Sequence, residues 1–214
     1  MAKVQGVKEK LHSPIYDAFF VKAETDKTFT SFMTDPRVIR FFVDVQNKTK
    51  LETNLQASGV LPSLNTFEAR ALRVVVSNLR LKEKKTRLKS GTTIEEEALI
   101  SESEILADLI YNSVTSLIVG EKIMIEMPTF WFPSGAGVSP GFPTVANHGE
   151  PSPEATFRFA EPVYIEPQQN FRVEMAFPQG VPGKEPADPA QLAGVKGPLR
   201  IWVVLDGYLT RDVQ

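Results

Sequence analysis

The sequence contains no cysteine and only two histidines, His12 and His148, among 214 residues. Without cysteine there can be no disulfide bridge, no thiolate nucleophile and no cysteine-based zinc site. Two isolated histidines do not supply the clustered imidazoles of a metal-binding, cupin-type barrel. We therefore expect no metal ion and no other cofactor, and we predict that the protein is not an enzyme.

Long apolar runs are also absent. No stretch approaches the roughly 20 consecutive apolar residues that a membrane-spanning helix requires, and the N-terminal residues lack the apolar segment of a signal peptide. The net charge of −2 provides no general attraction to nucleic acid. We expect a protein that is made in the cytosol and spans no membrane, and we expect any contact with nucleic acid to be nonspecific, through the basic run from Arg80 to Lys89.

Prolines divide the second half of the chain, where 13 of the 16 lie between Pro128 and Pro198. This density excludes helices of ordinary length there. Between the prolines lie short runs of aromatic and β-branched residues, several of which alternate with a period of two. In the run 170–177 the large apolar residues fall on odd positions, which predicts a strand with one buried side. The predicted strands are 37–45, 67–81, 114–119, 123–127, 156–160, 163–165, 170–177 and 199–206.

These runs predict one mainly β domain over residues 1–214, an antiparallel β-sandwich with one or two inserted helices. A chain of this length commonly forms a single all-β domain. The helix is predicted in the Thr93–Asn112 region, where apolar residues recur at steps of three and four. Residues 1–12 show little pattern and are predicted to form a flexible N-terminal arm.

Two groups of residues are candidates for contacts with other subunits or with a ligand. The first is the aromatic run Phe130, Trp131 and Phe132, which borders a long loop rich in proline and glycine over residues 132–156. The second group lies on a basic segment and the acidic segment that follows it. Its residues are Lys82, Lys84, Lys85, Arg87, Glu95, Glu96 and Glu97. Such segments predict charge pairing, either between neighbouring copies or within one copy between a strand end and the helix. A solvated loop is the simpler alternative.

The second half of the chain resembles the jelly-roll structural proteins of bacterial viruses. The resemblance is carried by the segment from Glu126 to Gly137, by the segment from Pro162 to Glu174, and by a terminal strand that contains Leu-Asp-Gly-Tyr at residues 205–208. It implies a capsid-type virion protein, a single jelly-roll subunit that assembles with copies of itself and with other virion proteins. It implies no catalytic or ligand-binding residue, because shell proteins act through their surfaces.

Two other functions are compatible with the same pattern. A carbohydrate-binding β-sandwich that recognises a receptor could stack Trp131 or Tyr164 on sugar rings. A β-sandwich glycoside hydrolase would need two facing carboxylates; the candidates are Glu126, Glu161, Glu166 and Glu174. Acidic residues on the solvent-facing side of a strand are far more often simply solvated.

Overall fold

The computed structural model describes residues 8–21, 37–62, 64–78, 82–89, 92–99, 109–133, 136–137, 150–151, 153–179 and 199–212. These residues include thirteen strands, two 3-10 turns (Thr129–Trp131 and Pro153–Ala155) and a short helical stretch at 109–111. In chain order the strands are β1 (Lys8–His12), β2 (Ile15–Val21), β3 (Arg37–Phe41), β4 (Thr66–Asn78), β5 (Lys82–Lys89), β6 (Thr92–Leu99), β7 (Val114–Val119), β8 (Lys122–Pro128), β9 (Ala136–Gly137), β10 (Glu150–Pro151), β11 (Arg158–Ile165), β12 (Phe171–Phe177) and β13 (Leu199–Asp212).

Two antiparallel sheets form the body of the protein. In the five-stranded sheet, which we call sheet A, β13 pairs with β4 on one side and with β1 and β2 on the other, and β4 also pairs with β11. The four-stranded sheet, sheet B, has the order β3-β12-β7-β8. The prediction of a mainly β, antiparallel sandwich is confirmed.

The strand pairs of the two sheets are nested along the chain. β1 and β2 are separated only by Ser13 and Pro14 and both pair with β13, so they act as one broken strand. The sandwich then has eight strands, in which the first pairs with the eighth, the second with the seventh, the third with the sixth and the fourth with the fifth. These four pairs alternate between sheets A and B. The chain is therefore a ribbon of paired strands wrapped around a core.

The core lies between the sheets and follows the alternation predicted for β12. Phe171, Val173, Met175 and Phe177 are buried, whereas the residues between them are only half-buried. The inward sides of β4 and β13 meet this strand with Phe67, Leu72, Ile201, Val203 and Leu205. Side chains on a strand point alternately to its two sides, so an apolar residue at every second position gives one buried side and one solvent-facing side.

A β-bulge interrupts the pairing of β13 with β4. Asp206 pairs with Ala71 and Gly207 pairs with Ala69, so Arg70 has no partner in the register. The bulge brings Gly207 so close to β4 that a Cβ atom added to it would overlap the carbonyl group of Glu68. Only glycine permits this approach.

Two predictions about local structure are corrected. Residues 93–99 of the predicted helix belong to β6, which pairs with β5 as an antiparallel hairpin. Residues 100–108 of that helix lie outside the described residues, and residues 109–111 are helical. Pairing with an adjacent strand stabilises residues 93–99 more than their helical spacing does. Of the predicted N-terminal arm, residues 1–7 lie outside the described residues, and residues 8–12 form β1, which pairs with the long strand β13 next to β2.

Candidate functional site

The turn that follows β8 is held by buried hydroxyl groups. Thr129 begins this 3-10 turn, and its backbone N–H donates to the carbonyl oxygen of Ser113 at 2.9 Å. The Ser113 hydroxyl donates to Thr129 Oγ1 at 2.7 Å, and Thr115 Oγ1 lies 2.8 Å from the same atom. Because all three side chains are buried, these bonds fix the turn to β7.

Three large aromatic side chains stand exposed around this turn. Tyr111 is 71% exposed, Phe130 48% and Trp131 50%. The ring centroids of Tyr111 and Phe130 are 6.0 Å apart, as are those of Phe130 and Trp131. We call these three residues the aromatic ledge. Contiguous exposed aromatic rings are unusual in a protein that makes no contacts, so the ledge is a candidate binding surface.

Phe132, the third residue of the predicted contact run, does not belong to the ledge. Its side chain is 1% exposed and lies in the core, where it packs edge-on against Phe157 with 5.8 Å between ring centroids. Its carbonyl oxygen accepts a hydrogen bond from Val74 N at 3.1 Å. The structure therefore separates the run, because Phe130 and Trp131 face solvent while Phe132 anchors the turn to sheet A.

A shallow groove lies beside the ledge, on the side of Trp131. Its volume is about 480 Å³, and the described residues that line it are Phe130, Trp131, Pro133, Glu154, Thr156, Phe157 and Arg158. The floor is aromatic, with Phe157 edge-on to Trp131 at 6.2 Å. Glu154 and Arg158 are exposed at its border. The sequence pointed to Trp131 but not to Phe157 or Arg158, which reach the groove from a segment some 25 residues further along the chain.

β8 is an edge strand of sheet B, and the turn that carries Phe130 and Trp131 follows its C-terminal end. β8 pairs only with β7 in the part of the sheet that the structure describes. Ile123 is 53% exposed and Met124 39%, and a register shift against β7 leaves Met124 without a partner. Of the other edges, β3 has Arg37 and Arg40 and β11 contains Pro162, whereas β2 is apolar, with Phe20 41% exposed. β8 also carries charges, but Ile123 and Met124 form an exposed apolar stretch on it, and apolar edges are sites of strand association.

The predicted charged residues lie on the β5–β6 hairpin. Its register pairs Lys84 with Glu97 and Lys85 with Glu96, while Glu95 is opposite Thr86. Arg87 is opposite Ile94, and Lys82 is opposite Leu99. Cross-strand partners of opposite charge stabilise a hairpin. The basic and acidic segments are thus neighbours within one copy, as two strands rather than as a strand and a helix.

A polar cluster on the outer side of sheet A was not predicted. Lys10 and Arg70 both form ion pairs with the carboxylate of Glu68, and their cationic groups lie 4.8 and 5.2 Å from the ring centre of Tyr208. The hydrogen bonds from Lys10 and then from Arg70 hold the pKa of Glu68 below its ordinary value. The cluster assembles from three strands, so its members are too far apart in sequence to show any pattern.

Of the four glutamates considered for glycoside cleavage, Glu126 and Glu174 lie in register on either side of Ser116 in sheet B, and the other two belong to sheet A. Glu126 accepts a hydrogen bond from Ser116, and Glu174 pairs with Arg40 and Arg172 on the outer side of sheet B. Glu161 and Glu166 are exposed and belong to β11 and to the turn after it, in sheet A. The described residues contain no group of three or more side chains that could hold a metal ion.

Among the described residues, no helix is long and apolar enough to cross a membrane. Comparison of the chain with protein-family models, with curated proteins and with solved structures finds no match. The function must therefore be argued from the geometry of this chain alone.

Proposed function

We propose that the chain is a self-assembling structural subunit of the kind that builds virus shells, a single jelly-roll domain that acts through contacts between its copies. The nested pairing of the eight sandwich strands supports the jelly roll, since it is the arrangement that results when one long antiparallel ribbon is rolled into two sheets. The resemblance of the second half of the chain to capsid-type proteins of bacterial viruses is consistent with this topology. Fold alone does not define function, so the proposal depends on the surface.

The observation that carries the proposal is the exposed apolar stretch at the start of the edge strand β8. Ile123 and Met124 are exposed there, and the ledge lies beyond the other end of the strand. Burying apolar surface in a contact between copies favours association, and a symmetric assembly repeats the same contact many times. A copy that covers β8 would satisfy both its apolar side chains and its unpaired backbone groups.

Assembly is tested by measuring the mass of the purified protein by light scattering and imaging it by negative-stain electron microscopy. We expect large, regular oligomers. Replacing Ile123 by lysine places a charge in the edge and should yield smaller species with an unchanged circular dichroism spectrum. Leu51→Lys is the matched control, because Leu51 is 60% exposed and lies far from β8 in the fold. A wild-type protein that stays monomeric at high concentration would overturn the proposal.

The salt dependence of the oligomers separates two sources of assembly energy. Contacts between the basic and acidic segments of different copies would weaken at high ionic strength. The hairpin register already pairs those segments within one copy, and the exposed stretch of Ile123 and Met124 on β8 is apolar. We therefore expect oligomers that persist in high salt.

A further inference from the structure

We propose that the groove beside the ledge is a carbohydrate site that holds an uncharged pyranose ring of a glycan against Trp131. The inference concerns ligand binding by one copy and does not depend on self-assembly. The groove volume of about 480 Å³ falls in the range of small-molecule sites, ~300–1,000 Å³. The groove is built on the Thr129 turn, which the buried hydroxyl bonds to β7 hold in place.

The floor of the groove is suited to the apolar side of a sugar ring. Trp131 is half exposed, so its indole offers a wide apolar surface with a donor, Nε1, at the edge. Phe157 supports the indole edge-on, with 6.2 Å between ring centroids, and in turn packs on the buried Phe132. This chain of contacts connects the platform to the core, so Trp131 is oriented before any ligand binds.

The border of the groove offers both hydrogen-bond donors and acceptors to a ligand. Arg158 can only donate hydrogen bonds, Glu154 as a carboxylate can only accept them, and the Thr156 hydroxyl does both. Neither Glu154 nor Arg158 forms an ion pair within the described chain. An anionic ligand would be attracted by Arg158 but repelled by Glu154, so the border gives it no net electrostatic advantage. A ring with several neutral hydroxyl groups satisfies the donor and the acceptor together.

The fluorescence of Trp131 provides a direct test, because the chain has only two tryptophans. In the Trp202→Phe variant, all indole emission comes from Trp131. The probes are the methyl glycosides of glucose, galactose, mannose, N-acetylglucosamine and N-acetylgalactosamine, each titrated to its solubility limit, with N-acetylneuraminic acid as the charged comparison. We expect a saturable change in emission with at least one neutral glycoside and none with the acid.

Variants then assign the site, with binding followed by saturation-transfer NMR of the sugar protons. We expect Trp131→Ala to weaken binding at least tenfold, roughly the value of one aromatic stacking contact, and Arg158→Leu to weaken it severalfold. Leu51→Ala should have no effect. The assembly-defective Ile123→Lys variant should bind as well as the wild type, so that failure of assembly and failure of glycan binding are separate results.

Two outcomes would overturn the proposal. One is the absence of a saturable response to every neutral glycoside by a folded protein. The other is a shift in Trp131 emission on self-assembly alone, with no response to the sugars, which would make the groove a contact between subunits.

Discussion

Lys48 Nζ lies 2.9 Å from both carboxylate oxygens of Asp17, whose side chain is fully buried at the inner edge of β2. The carboxylate also accepts a hydrogen bond from the backbone N–H of Phe42 at 2.7 Å. This arrangement ties the segment that follows β3 to sheet A. A buried carboxylate requires such partners, because an unpaired charge in the interior is costly.

Replacing Lys48 by methionine should therefore destabilise the fold. The variant leaves Asp17 buried with a single backbone donor, and we expect a loss of about 3 kcal/mol in the free energy of unfolding. Urea denaturation measures it. The control is Lys50→Met at an exposed position, which should change stability by less than about 0.5 kcal/mol. Equal effects at the two positions would show that the ion pair contributes nothing.

Substitutions at Trp131 and Phe132 should separate surface from core. Phe132→Ala removes a side chain that is 1% exposed and should lower the free energy of unfolding by about 3–5 kcal/mol. Trp131→Ala removes one that is half exposed and should cost less than about 1.5 kcal/mol. Thermal unfolding of the two variants measures both losses of stability, so that they can be compared. A larger loss for Trp131→Ala would place that residue, and not its neighbour, in the core.

Gly207→Ala tests the bulge between β13 and β4. The added methyl group would overlap the Glu68 carbonyl and approach the Phe67 ring, and we expect a loss of about 3 kcal/mol or more. Gly120→Ala is the comparison, because Gly120 has a φ of +62° but no atom near the added Cβ. Gly120→Ala should lower the free energy of unfolding by about 1 kcal/mol, because alanine is disfavoured in the left-handed backbone conformation. A smaller loss at position 207 than at position 120 would contradict the register described for the bulge.

Thr129→Val tests the support beneath the groove. Valine keeps the shape but removes the hydroxyl that contacts both Ser113 and Thr115. A buried hydroxyl that loses its partner costs about 1–3 kcal/mol. We expect this loss in urea denaturation, together with altered Trp131 emission in the Trp202→Phe background. Thr210→Val, at a half-buried strand position, is the control and should leave that emission unchanged.

The ion pairs of Glu68 predict a specific dependence of stability on pH. Lys10 and Arg70 hold the pKa of Glu68 below its ordinary value of 4.5. The ionised carboxylate therefore stabilises the fold at neutral pH, and this contribution is lost as the pH falls below 4.5 and through the lower pKa of the folded protein. Glu68→Gln should flatten the dependence of the unfolding free energy on acid pH.

The matched control for this effect is Glu161→Gln, at an exposed position of β11. Its profile of stability against pH should run parallel to that of the wild type. If the Glu68→Gln profile also runs parallel, the ion pairs on the outer side of sheet A do not stabilise the fold.

Much of the fold was predictable because the strands carry their own signals. The alternation over residues 170–177 predicted both β12 and its buried side. The predicted strands 114–119 and 123–127 correspond to β7 and β8, and the prolines correctly excluded long helices from the described part of the second half. The prediction for β6 was wrong because glutamates and aliphatic residues at helical spacing are equally compatible with a two-residue period over so short a segment.

The candidate site was predictable only in part. An aromatic run next to a proline-rich loop identified Trp131, but nothing local distinguishes it from Phe132, one residue away and in the core. Phe157, Glu154 and Arg158 reach the groove from another part of the chain. Residues that meet only after two sheets have packed leave no pattern in sequence.

The sequence by itself determined the class of fold, the absence of cysteine chemistry and the buried side of several strands, because these depend on composition and on the alternation of neighbouring residues. The tertiary structure alone decided the nested pairing, the bulge at Gly207, the buried pair of Asp17 with Lys48 and the groove beside Trp131. Each of these joins residues distant along the chain. Such contacts exist only when the free energy of packing two sheets outweighs the entropy lost in bringing those residues together.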